Sequence, residues 1–213
     1  MASLFSALFG LSASKPQSTA NTQSLVYRGV MHSLSAMTKA VKGPRGATSP
    51  LVRLTAERVV ERIAAKDYLS EVLAVRYWCN SKLPYLRDPM NVEWMRDPQG
   101  LIEEMARAAV YAGAPPPRNI FDVAALAALH PRGVARCDCD EFAMLVAALG
   151  LNLGAKAEFV TVGFGQRPEP HSHVFTCLAP KGDGLWVACD PVAGTKEAFM
   201  LSNAASYDTH DLS

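Results

Sequence analysis

Through the first two thirds of the chain, apolar residues return every three or four positions. Beyond Gly154 they gather into short runs bounded by Gly and Pro. The first pattern belongs to helices buried along one side, the second to strands. Val26, Val30, Leu34, Met37 and Val41 make one helical stripe, stopped by Gly43-Pro44-Arg45-Gly46. Ser49-Pro50 opens the next helix, with a capping hydroxyl ahead of Pro at the first helical position, and Val52, Val59, Val60 and Ile63 form its apolar side. Leu69, Val72, Leu73 and Arg76 mark another helix, ending near Asn80. Asp88-Pro89 and Asp97-Pro98 bracket a loop or short strand that holds Val92, Trp94 and Met95. Residues 101–111 and 121–129 read as helices, the first ended by Gly113 and Pro115-Pro116-Pro117.

Asp138-Cys139-Asp140-Glu141 then heads an apolar helical run of Phe142, Met144, Leu145, Val146 and Leu149. Asp138 followed three positions later by Glu141 has the spacing of a capping box, and Gly150 and Gly154 mark the helix exit. Strands are expected over 158–163, 171–178 and 185–189, the last ending at Asp190-Pro191. Helices, then a cysteine-bearing helix, then an antiparallel meander predict an α+β architecture.

Composition narrows the picture. Hydrophobic residues make up 49 % and charged residues 19 % of 213, enough apolar surface for a packed core. No apolar run reaches the roughly 18–20 residues of a membrane span. Five cysteines, an odd number, argue against a disulfide framework and leave thiols for packing or chemistry. Net charge is +1, but residues 1–56 hold no Asp or Glu while carrying Lys15, Arg28, Lys39, Lys42, Arg45 and Arg53. Residues 1–48 therefore read as a basic arm with short amphipathic segments, suited to a protein partner and, less directly, to nucleic acid. Leu4, Phe5, Leu8 and Phe9 lack the basic lead-in of a secretory signal.

The chemistry concentrates in the last third. A nucleophilic cysteine needs a thiolate, a base and a group that holds the base. Cys139 falls in the first turn of a helix, where unpaired N–H groups and the helix dipole favour negative charge. Asp138, Asp140 and Glu141 oppose this unless they cap the helix or bind partners. His173 belongs to the next strand but one, and Asp190 ends the strand after that, so a hairpin brings carboxylate and imidazole together. His171 is a rival base. Trp94 and Gln99 are candidates to line the cleft or assist an oxyanion, beside the backbone N–H of Cys139. Cys137 is expected to be structural. A zinc site from Cys137, Cys139, His171 and His173 is the competing arrangement, and it leaves Asp190 without a role.

Three stretches resemble the transglutaminase-like superfamily: Cys139-Asp140-Glu141-Phe142-Ala143 its nucleophile helix, Ser172-His173-Val174-Phe175 its histidine strand, and Trp186-Val187-Ala188-Cys189-Asp190-Pro191 its closing strand. Upstream, Leu86-Arg87-Asp88-Pro89 and Val92-Glu93-Trp94 are similar to a lead-in of small phage-encoded members. The resemblance implies a papain-like fold over residues 49–200, with the nucleophile at a helix N-terminus above a small antiparallel sheet. Residues 100–136 would then be an insert or lid, and residues 201–213 a tail.

It further implies a Cys139, His173, Asp190 centre for thiol acyl transfer without a cofactor. The substrate would be a protein, a peptide or a cell-wall peptide, and the setting a bacterial cytoplasm or a phage virion. An inert version of the fold, serving as a virion or assembly component, is the alternative from a different class.

Overall fold

The computed structural model describes residues 23–26, 30–87, 92–163, 172–182, 184–192 and 206–212. Six helices appear among them: α1 (Val30–Lys42), α2 (Pro50–Val59), α3 (Tyr68–Lys82), α4 (Pro98–Tyr111), α5 (Ile120–Leu129) and α6 (Cys139–Asn152). The strands are β1 (Gln23–Val26), β2 (Val92–Met95), β3 (Lys156–Gly163), β4 (His173–Ala179), β5 (Val187–Cys189) and β6 (Ser206–Asp211). A four-stranded antiparallel sheet runs in the order β5-β4-β3-β6, and β1 pairs with β2 in a separate ribbon. The molecule is α+β, with helices packed on a small sheet.

Helix starts follow the local chemistry. Ser49 accepts from the N–H groups of Leu51 and Val52, with Pro50 at the first helical position. Asp97 accepts from Gly100 at 2.7 Å ahead of Pro98. Asp67, Asn119 and Asp138 cap α3, α5 and α6 in the same way. Each oxygen satisfies a backbone donor that has no carbonyl one turn behind it.

α6 is the axle of the fold. Every residue from Asp140 to Gly150 is buried, and α1, α2, α3, α4, β3 and β4 all pack on it. Gly150 lets the sheet come close: a Cβ there would stand 2.5 Å from Leu178 Cδ2. β4 is buried along its whole length. Ala157, Phe159, Val174 and Leu178 join the main core, while Val160, Val162, Phe175 and Cys177 form a second cluster on the opposite face.

The structure differs from the sequence reading in several places. Val26 belongs to β1, opposite Val92, and α1 begins only at Val30. α2 stops at Val59, leaving Ile63 outside it. Residues 100–136 are no lid: Leu101, Ile102, Met105, Ala106, Val123, Ala124 and Ala127 lie in the main core. Residues 206–211 are no tail but the edge strand β6 on β3, and Leu212 is buried. The folded body also begins before residue 49, since Leu34, Met37 and Val41 are core residues. The apolar stretch near the N-terminus, Asp88-Pro89 and the glycine loop after Gly163 lie outside the described residues. No helix among the described residues is long and apolar enough to cross a membrane.

Candidate functional site

Two contacts set how α6 lies along β4. The buried Thr176 hydroxyl donates to the Ala143 carbonyl at 2.7 Å, and Leu178 lies against Gly150. Higher numbers in the helix therefore meet higher numbers in the strand. Helix and strand run the same way, at about 1.5 and 3.3 Å per residue. Cys139 lies one helical turn before Ala143, and His173 three residues before Thr176, on the Phe175 face at the start of β4. Cys139 is the first residue of α6, and side chains lean toward a helix N-terminus. Its thiol hydrogen-bonds the His173 ring.

Asp190 arrives from the other side. β5 pairs with β4 through Thr176↔Cys189, so continuing that register sets Asp190 opposite Phe175. His173 is two positions from Phe175 on the same strand face, which makes Asp190 its diagonal neighbour. The carboxylate Oδ2 lies 3.0 Å from His173 Nε2. Oδ1 accepts from the Val192 N–H at 2.7 Å, which fixes the carboxylate plane. With Nε2 turned to Asp190, Nδ1 is the nitrogen left for Cys139. Phe175 flanks the imidazole with ring centroids 6.2 Å apart.

Both His173 and Asp190 are buried. Burial works against a charged imidazole, but hydrogen bonds to Asp190 and Cys139, and their negative charge, override it. The His173 pKa is raised to about 9. At neutral pH the ring is therefore held as imidazolium, beside the one cysteine of the five that is partly exposed. Burial pushes the thiols of Cys79, Cys137, Cys177 and Cys189 up, which keeps them protonated and inert.

The acidic residues around Cys139 are each engaged. Asp138 Oδ1 accepts from the Glu141 N–H at 3.3 Å as the helix cap, and Asp140 Oδ1 accepts from the same N–H at 3.0 Å. Only half of the expected capping box forms, because the Glu141 side chain turns away to Arg96. Glu141 Oε1 accepts from the Arg96 N–H at 2.8 Å and from Nε at 2.7 Å, and Oε2 accepts from Nη2 at 2.6 Å. The same guanidinium reaches Glu104 and the Arg136 carbonyl. Burial pushes the Glu141 carboxyl up to about 7 against the pull of Arg96. Those contacts in turn raise the Arg96 pKa although its own burial opposes this.

Other residues singled out from sequence have different places. Gln99 sits in the first turn of α4, its amide donating to Glu103 at 2.8 Å and accepting from Ser49 Oγ at 2.9 Å. That network joins α2 to α4 and gives Gln99 no part beside the thiol. Trp94 lies in β2 opposite Ser24, with its side chain outside the described residues. His171 is also outside them, so the zinc set is incomplete there. Among the described residues no three metal-type ligands cluster. Cys137 is buried, as a structural thiol would be. Trp186, which a closing strand would be expected to bury, is 47 % exposed. His130 accepts from Arg132 N–H at the surface, and His210 in β6 lies 3.5 Å from Thr161 Oγ1.

Two residues around the start of α6 escaped the sequence reading. Arg96 is one. Tyr85 is the other: it bridges Cys137 in parallel, with the Leu86 N–H donating to the Cys137 carbonyl at 2.8 Å. Burial, then Cys139 and Asp138, push its phenol up to about 12, so it stays protonated. Neither position carries a motif, and each reaches the site only through the crossing of distant segments.

No family model, no curated protein and no solved structure matches this chain. The geometry of Cys139, His173 and Asp190 therefore has to carry the functional reading.

Proposed function

We propose that this chain is a thiol acyl-transfer enzyme of the papain and transglutaminase-like class, with Cys139 as nucleophile, His173 as base and Asp190 as the group that orients the base. One observation carries the reading. The single cysteine that is not buried stands at a helix N-terminus and hydrogen-bonds a histidine whose other nitrogen meets a buried carboxylate at 3.0 Å.

In this reading the Cys139 proton already rests on His173 Nδ1, and the thiolate attacks an amide or ester carbonyl. The oxyanion faces the N–H of Cys139 at the start of α6, a donor with no intrahelical carbonyl to bind. As the C–N or C–O bond breaks, the leaving group takes the proton from Nδ1. Water or an amine then attacks the thioester and gives a proton to Nδ1. The sulfur leaves as thiolate, restoring the starting pair. Asp190 keeps Nε2–H pointing at itself throughout, so Nδ1 is always the nitrogen facing sulfur. The resemblance to small phage-encoded members supports a peptide or cell-wall peptide as acyl donor.

Iodoacetamide at pH 7, with modified cysteines located by mass spectrometry, tests the site. Cys139 is expected to react at least 100-fold faster than Cys79, a ratio set by a thiolate against a buried thiol (~100-fold). His173→Ala should remove most of that advantage. Equal labelling of Cys139 and Cys79 would leave an inert fold. That outcome favours the second reading, an assembly or virion component, for which the acid-free stretch of residues 1–56 suits a protein partner.

A further inference from the structure

We propose that the Tyr85 hydroxyl is the second hydrogen-bond donor to the oxyanion formed at Cys139. This deepens the thiol reading above and rests on it.

An oxyanion has several lone pairs and a full charge, so a single backbone N–H leaves it partly unanswered. The N–H of Cys139, at the first position of α6, is one donor. Gln99 is engaged between Ser49 and Glu103 and does not supply another. A second donor has to come from an element that passes the start of α6, and the segment after α3 does so. It runs parallel to the approach to Cys139. The Ala135 N–H donates to the Lys82 carbonyl at 3.1 Å, Tyr85 bridges Cys137, and the Leu86 N–H donates to the Cys137 carbonyl at 2.8 Å. Bridged partners stand about 4.8 Å apart, and Cys139 follows Cys137 by two residues. A tyrosine side chain is long enough to cover that span.

The charges acting on the phenol indicate where it points. Cys139 acts on it more strongly than Asp138, Arg87 or Asp140, although Asp138 is the residue next to the bridge. The same surroundings push its pKa up to about 12, so at neutral pH it keeps the proton that a donor needs. Among the described residues no hydrogen bond occupies the hydroxyl. Tyr85 is 41 % exposed, and Cys139 is the one cysteine that is not buried, so a substrate reaches both. His173 and Asp190 meet the thiol from the sheet, so base and donor come from separate elements.

The step follows from this placement. As the thiolate adds, the carbonyl π electrons move onto oxygen. That oxygen accepts from the Cys139 N–H and the Tyr85 O–H, and neither proton is transferred. When the C–N or C–O bond breaks, the electron pair returns to the carbonyl and both hydrogen bonds weaken.

The test compares two reagents on Cys139 in the full chain, in wild type and in Tyr85→Phe, with modified sites located by mass spectrometry. Iodoacetamide reacts at a saturated carbon and forms no oxyanion, so it reads the thiolate alone. p-Nitrophenyl acetate reacts at a carbonyl and reads thiolate and oxyanion together. Tyr85→Phe keeps the ring and removes only a hydroxyl without a partner among the described residues, so the fold stands, as circular dichroism checks. The ratio of acylation to alkylation rates should fall about tenfold or more in Tyr85→Phe, the loss of one hydrogen bond to a charged oxygen. A ratio within about threefold of wild type overturns the proposal, including the case in which both rates fall together, because the hydroxyl then acts on the thiolate or on the fold. Wild-type Cys139 that reacts no faster than Cys79 with either reagent overturns the thiol reading itself.

Discussion

At the scale of residues, the site is a balance of charges in poor solvent. His173 is buried, which alone would lower its pKa, yet Asp190 and Cys139 raise it to about 9 from an ordinary 6.5. A histidine whose folded pKa is raised stabilises the fold fully below its unfolded pKa and loses that contribution as pH climbs through the folded one. Unfolding free energy should therefore fall between about pH 6.5 and pH 9, by about 3 kcal/mol if no other group titrates there. Asp190→Asn removes the main partner of the imidazolium and should flatten that slope, with the His173 titration moving back toward neutral pH. Chemical denaturation across the pH range, together with proton resonances of the imidazole, measures both. An unchanged slope in Asp190→Asn would mean that the imidazolium is held by something else. His173, Asp190 and Cys139 were legible as a set because each sits in a recognisable local pattern. Arg96 and Tyr85 were not, because a side chain that works across 45 positions leaves no mark in its own neighbourhood.

At the scale of elements, most of the boundaries were written in short-range chemistry. Ser49-Pro50, Asp97-Pro98 and Asp138 begin helices because a side-chain oxygen beside the first turn satisfies donors that no other local group can reach. The turn after α1 shows the same locality in another form. A Cβ on Gly46 would stand 2.1 Å from the Val41 carbonyl oxygen and 2.2 Å from that of Ala40. Both are backbone atoms at the end of a helix and have little room to move. Gly46→Ala should destabilise the protein by about 3 kcal/mol, at the upper end of overpacking costs, lowering the thermal midpoint by several degrees. A midpoint within one degree of wild type would show that the turn rearranges freely. β6 was missed for the opposite reason. Its sequence, Ser-Tyr-Asp-Thr-His-Asp, has no apolar alternation, and it is a strand only because β3 offers an unpaired edge.

At the scale of the whole molecule, the folded body extends further than any local signal announced. Leu34, Met37 and Val41 from α1 lie in the same core as α6, and Leu212 near the other end of the chain is buried as well. Deleting residues 1–48 removes three buried apolar side chains, at about 2–5 kcal/mol each when cut back even to Ala. That exceeds typical net stability, and the truncated chain should not fold cooperatively. Circular dichroism and thermal melts of this truncation decide it, and a cooperative melt would remove α1 from the core. The sequence by itself determined most of the helices, the strands that became β3, β4 and β5, the α+β class, and which three residues could form a thiol centre, since periodicity, caps and residue chemistry act over a few positions. Tertiary structure alone decided that residues 100–136 are core, that the C-terminal segment closes a sheet edge, and that an arginine faces the acid beside the thiol. Those outcomes depend on which surfaces remain to be covered once the elements meet, and burial is a property of the assembled chain.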